Sequence, residues 1–235
     1  MRNLLAIARR EIRSAFSSPV AYVVVSAFLL VSGALFFWTA FLAGASSLRS
    51  FFAVTPLVLV VCVPAITMRL VSEELRSGTF ELLVTMPVRD LEVVVGKLLA
   101  ALAVIGSALA MTLLYALTIA AIGDLDWGPV AGGYLGLLLC GAALASIGVM
   151  CSASTRNQVV AFILSLLLGF ALWLADKVSA VVPAALGPML QYLSLDFHFA
   201  NLARGVLDSR DVLYFLSLTA VALYGAVRAL ARRHA

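Results

Sequence analysis

Residues 98–123 read LLAALAVIGSALAMTLLYALTIAAIG, 26 positions without a single Asp, Glu, Lys, Arg or His. Wound as an α-helix at ~1.5 Å per residue, such a run is long enough to cross about 30 Å of hydrocarbon. It is continuous, whereas the strands of a membrane barrel alternate apolar and polar residues over about ten positions. The segment therefore reads as a transmembrane helix. Five more runs of the same kind lie at 20–43, 51–68, 130–150, 159–175 and 212–227, and none contains an ionisable side chain other than Tyr or Cys. Composition agrees: 63% of the 235 residues are apolar and 12% charged, with a mean hydropathy of +1.10. Soluble domains average roughly 45–50% apolar and about 25% charged, and one core cannot hide the excess. The fold class expected is all-α, a polytopic membrane protein of six transmembrane helices forming one domain over residues 1–235.

Orientation follows from the basic residues. Arg2, Arg9, Arg10 and Arg13 precede the first run. Arg69, Arg76, Arg89 and Lys97 lie between the second and third, Arg156 between the fourth and fifth, and Arg228, Arg232 and Arg233 after the sixth. Alternating spans put these twelve of the sixteen Lys and Arg on one side, and Arg49, Lys177, Arg204 and Arg210 on the other. The positive-inside rule then places both termini in the cytoplasm. The opposite side carries Asp124, Asp126, Asp176, Asp196, Asp208 and Asp211. Trp38, Trp127, Trp173 and Tyr214 fall near the outer helix ends and Tyr22 and Tyr224 near the inner ends, where amphipathic rings favour the headgroup level. The first apolar run is too long for a signal peptide and no small-residue cleavage pattern closes it, so it reads as a retained span. Before it, Leu5, Ala8, Ile12 and Phe16 recur at helical spacing while Arg9, Arg10 and Arg13 fall on other faces. Residues 1–19 are thus expected to form an amphipathic elbow on the inner membrane surface, its arginines toward anionic lipid. Pro19 suits the first turn of the span that follows.

Several function classes are disfavoured. Ion-coupled carriers need ionisable groups at membrane depth, which the runs lack; this weighs most against proton coupling, since broken helices can hold sodium through carbonyls. No GxxxxGK[ST] loop is present, and Gly96-Lys97 lacks the upstream Gly and the following Ser or Thr. ATP chemistry at a P-loop would therefore belong to a partner. Glu73, Glu74 and Arg76 form EExR rather than the EExxxR of the prenyl-protein type of membrane protease, and His198 falls on the opposite side of the membrane. Gly44-Ala45-Ser46 has no matching base nearby. Cys62, Cys140 and Cys151 show no metal or redox spacing and read as small buried hydrophobes. No catalytic residue, metal ligand or cofactor site is expected on this chain.

Chemistry concentrates in the connection 69–97, RLVSEELRSGTFELLVTMPVRDLEVVVGK, with four basic and five acidic residues. Glu73, Glu74, Arg76 and Glu81 suit the surface of a short helix, and Ser77-Gly78 offers a break. Thr79 opens a second helical stretch, with Glu81 in its first turn and Pro87 as its stop. Phe80, Leu82 and Leu83, with Val84 and Met86, leave more apolar surface than a cytosolic loop exposes, a pattern that suits a docking surface.

Residues 64–100, PAITMRLVSEELRSGTFELLVTMPVRDLEVVVGKLLA, resemble the signature of type-2 ABC transporter permeases, and within these the gliding-motility-associated branch. In that branch the second helix runs into an EExRSGTxELLxTxPV stretch. The N-terminal RREIRSAFSSPVAYV (9–23) and the C-terminal FHFANLARGVLDSRDVLYFLSLTAVALY (197–224) resemble it too, so the likeness spans the chain. The resemblance implies that Glu73, Glu74, Arg76, Ser77, Gly78, Thr79, Phe80, Glu81, Leu82, Leu83 and Pro87 form the coupling region seated on a nucleotide-binding ATPase subunit. That partner would supply ATP and Mg. It implies a second permease copy or homologue, a bacterial or archaeal inner-membrane location, and export as the direction. It also implies re-entrant helices within 177–211, where apolar runs 178–186 and 189–195 flank Gly187-Pro188. The short outer loops depart from relatives with periplasmic domains.

Gly132/Gly136, Gly136/Cys140 and Gly141/Ala145 have small-xxx-small spacing on the fourth span and are candidates for a dimer face. Two other readings stay open: a non-transporting anchor or scaffold of a surface or motility complex, and an ion-coupled carrier. Nothing suggests a nucleic-acid partner, and the path's apolar character fits lipid-like cargo.

Overall fold

The computed structural model describes residues 2–38, 48–79, 89–123, 125–179, 182–183 and 186–232. Among these the chain is all-helical: α1 Arg2–Ser17, α2 Pro19–Phe37, α3 Arg49–Thr67, α4 Ser72–Ser77, α5 Asp90–Ile122, α6 Trp127–Ser154, α7 Gln158–Ser179, α8 Gly187–Leu193, α9 Leu195–Ala203 and α10 Ser209–Ala231. Six segments are long and apolar enough to cross a membrane: α2, α3 continued through α4, α5, α6, α7 and α10. These six are the spans expected from the apolar runs. Several helices overrun the runs, however. α5 begins at Asp90 rather than at 98, which carries Lys97 onto a packed helix, and α10 begins at Ser209, which carries Asp211 inside.

Local chemistry sets the boundaries. Ser18 caps α2 by accepting from Val20 N (3.3 Å), with Pro19 in the first turn. Asp126 accepts from Gly128 N (3.1 Å) at the start of α6, and Asp208 from Arg210 N (2.9 Å) at the start of α10. Each satisfies a donor that the first helical turn leaves without an intrahelical partner. Pro56 and Pro64 lie inside α3. A helix packed within a bundle tolerates the missing donors that they bring.

α6 is the hub, packed against α3, α5, α7, α9 and α10. Its glycines make that possible. A Cβ on Gly132 would collide with the carbonyl oxygen of Leu202, and one on Gly136 would stand 3.0 Å from the Phe199 ring, both on α9. A Cβ on Gly141 would stand 3.1 Å from Ile105 on α5. The small-residue stripe that suggested a dimer face is therefore occupied inside the chain: two of its positions seat α9 and a third seats α5. Buried aromatics fill the level nearby, with Phe36 stacked on Tyr115 at 4.6 Å and Phe52 edge-on to Tyr134 at 5.5 Å. Outward faces stay apolar and bare, as at Leu30 on α2, Leu114 on α5, Leu167 on α7 and Val221 on α10. Surfaces of that kind on four helices call for a lipid solvent.

Between α7 and α10 the boundaries differ from expectation. Gly187-Pro188 opens α8 instead of separating two runs, because Pro fits a helix's first turn. Of the expected run 178–186, only residues 178, 179, 182, 183 and 186 are described.

Candidate coupling site

Two ends of the bundle carry polar structure. The Arg-rich end joins α1, α4, the start of α5, and the ends of α6 and α10. Val71, Leu75, Val94, Val149, Ala153, Ala226 and Leu230 form its own apolar cluster, so α4 is fastened to the bundle by buried side chains. α1 lies along α5, with Ala8 buried and Ile7, Glu11, Ile12, Ala15 and Phe16 half-buried, while Arg9, Arg10 and Arg13 are exposed. The apolar stripe of the expected elbow is thus set against a neighbouring helix. Gly96 allows the close approach: a Cβ there would come within 2.7 Å of Ile7 Cγ2.

The corner between α3 and α4 is held by residues distant in sequence. Val71 N and Ser72 N both donate to Ser152 Oγ (3.1 and 3.0 Å), and Ser152 Oγ donates to the Met68 carbonyl (2.9 Å). One hydroxyl therefore uses both its acceptor sites and its donor on a turn. From α5, Lys97 Nζ donates to the Leu70 carbonyl (2.5 Å) and to Glu74 Oε1 (2.8 Å), and lies 3.5 Å from Glu11 Oε2. Lys97 is 1% exposed. A buried ammonium has to be paired in this way, since an unpaired charge away from water costs several kcal/mol or more.

The expected coupling residues separate accordingly. Glu73, Arg76, Ser77, Gly78 and Thr79 are exposed, whereas Glu74 turns inward to Lys97. Ser77 Oγ donates to the Glu73 carbonyl at 2.9 Å and lies 2.9 Å from Thr79 Oγ1. Gly78 closes α4 with φ +75°, a left-handed conformation that favours glycine. Phe80, Glu81, Leu82, Leu83 and Pro87 lie outside the described residues. A cavity of about 410 Å³ opens between α1 and the corner, lined in part by Glu11, Ser14, Ser18, Arg69 and Glu73.

The opposite end is tied by a second polar set. His198 Nδ1 stands 2.6 Å from Asp211 Oδ1 and Nε2 2.9 Å from the Tyr192 carbonyl, while Asn201 Nδ2 donates to Asp211 Oδ2 (3.1 Å). Tyr214 stacks on the His198 ring at 4.0 Å and donates to the Leu193 carbonyl (2.6 Å). Lys177 bridges Asp176 (2.6 Å) and Asp196 (2.5 Å). These contacts strap α8 and α9 onto α7 and α10. Among the described residues no three His, Cys, Asp or Glu converge as metal ligands would.

With this geometry in view, one comparison is decisive: residues 39–193, 155 of the 235, match the family described as ABC-2 family transporter protein. The chain belongs to that family. No curated protein matches it. As a member of the ABC-2 family with six apolar helices, it is a polytopic membrane protein and the transmembrane subunit of an ABC transporter, distinct from the ATPase. The family implies in general an ATP-binding subunit as partner.

Sequence reasoning passed over Glu11, Lys97 and Ser152, and the pairing of His198 with Asp211. Lys97 and Asp211 did carry a signal, as lone charges at the edges of apolar runs. Ser152 carried none, because a serine in a small-residue helix is ordinary.

Proposed function

We propose that this chain is the permease of an ATP-driven exporter and that its segment 73–87 transmits the motion of a separate ATPase subunit to the membrane helices. The family match across residues 39–193 carries this reading, since it embraces that segment together with the second to fifth spans. The exposure of Glu73 and Arg76 on a helix fastened to the core supports it: a coupling surface must be accessible outside and rigidly joined inside. In this reading the Arg-rich end is cytoplasmic in a bacterial or archaeal inner membrane, and 1–19 is the surface elbow. ATP and Mg are held by the partner, and a second permease copy or homologue completes the path. The likeness of 64–100 to the gliding-motility-associated branch fits an export role, and the segment 177–211 would be the outer re-entrant hairpin.

The test is a pull-down of the chain in nanodiscs with the ATPase encoded beside it, followed by an ATP hydrolysis assay. Glu73→Lys with Arg76→Glu reverses only exposed charges and is expected to weaken association about tenfold or more. Phe80→Ala with Glu81→Ala is expected to lower hydrolysis by the complex. A complex indifferent to both changes would favour the scaffold reading.

A further inference from the structure

At the Arg-rich end the α3 ladder stops at Thr67 and α4 begins at Ser72; turn hydrogen bonds pair some of the intervening backbone groups, such as Leu70 N with the Thr67 carbonyl, and others find partners on distant helices. Ser152 supplies some from α6. Lys97 supplies another, and it also reaches two carboxylates on two different helices. Its three N–H donors meet three acceptors, one each on the corner (Leu70), on α4 (Glu74) and on α1 (Glu11). Its stem comes from α5, so four pieces of chain meet at one nitrogen.

We propose that Lys97 is a positioning residue that makes the elbow α1, α4 and α5 move as one body when segment 73–87 is displaced. This rests on the permease reading above. Apolar packing of Val71 and Leu75 against Val149 and Leu230 fastens α4 to α6 and α10, but the described residues of that cluster include none of α1. A buried ammonium held by directional hydrogen bonds joins α1 to α4, because a slide of either carboxylate strands a charge in a low-dielectric site. Glu74 Oε2 is buried and meets no donor among the described residues, so α4 is held to the node through Oε1 alone. The Gly96–Ile7 contact beside the node keeps α1 close enough for Glu11 to take part. Displacement of α4 is thereby passed to α1 as well as along α5.

The experiment uses the full chain in complex with its ATPase in nanodiscs, with spin labels introduced as non-natural residues at Arg76 on α4 or Arg10 on α1. Each is paired with a reference label at Ser217 on α10, and distances are measured without nucleotide and with ATP and Mg. In the wild type both distances shift on ATP binding. In Lys97→Met, the Arg76 distance still shifts while the Arg10 distance does not, and Lys97→Arg, which keeps charge and donors, restores the Arg10 shift. Should Lys97→Met fail to fold, the triple variant with Glu74→Gln and Glu11→Gln removes the stranded charges and is measured in its place. An Arg10 distance that shifts as fully in the variant as in the wild type overturns the proposal and leaves the permease reading intact. A wild-type complex in which the Arg76 distance is unmoved by ATP overturns both.

Discussion

Glu73 and Glu74 are adjacent carboxylates with opposite roles. Glu73 faces outward from α4, while Glu74 sits 2.8 Å from a lysine that is 1% exposed. Glu73→Gln is expected to change stability by no more than about 0.5 kcal/mol, as exposed substitutions do. Glu74→Gln weakens the charge partner of a buried ammonium and is expected to cost roughly 1–3 kcal/mol, the remaining acceptors limiting the loss. Thermal unfolding of the detergent-solubilised chain separates the two, and equal midpoints would refute the inward placement. Ser152→Ala leaves Val71 N and Ser72 N without their shared acceptor. It is expected to lower stability by about 1–3 kcal/mol although it removes a single oxygen. The sequence contains all these residues but marks only the glutamates, because pairing over 80 positions is invisible to local pattern.

For elements, the clearest case is α6. Its glycine spacing predicts a close helix contact but not the partner, and the structure supplies α9 and α5 from the same chain. Gly136→Leu would drive a side chain into Phe199 and Leu202 and is expected to cost about 1–3 kcal/mol by overpacking. Limited proteolysis would report the displaced α9 as faster cleavage near 204–208. Unchanged cleavage would show that the contact is dispensable. α1 teaches a similar lesson: its amphipathic period was legible, yet the surface that covers Ala8 belongs to α5 and depends on Gly96.

For the whole molecule, alternating spans divide the polar structure between two ends, and the orientation proposed for them follows the positive-inside rule. Single cysteines in place of Arg10 or Arg76 are expected to react with an impermeant maleimide only after the inner side is opened. Cysteines in place of Arg204 or Arg210 are expected to react in intact cells. The reverse pattern would invert the topology and remove the basis for cytoplasmic ATPase docking. The bare apolar faces of α2, α5, α7 and α10 set the requirement for a bilayer throughout.

Hydropathy alone determined the helical class, the six spans and the membrane solvent, because a 26-residue run without charge has few other stable settings. Local chemistry also marked Gly78 as the end of α4 and Pro19 as the first turn of α2. Tertiary structure decided which charges are surface and which are structural. Lys97, Glu74 and Glu11 meet because α1, α4 and α5 pack together, and His198 meets Asp211 because α9 folds back on α10. These pairings exist only once distant helices bring their polar and charged side chains out of water into the same place, where each is the other's best available partner.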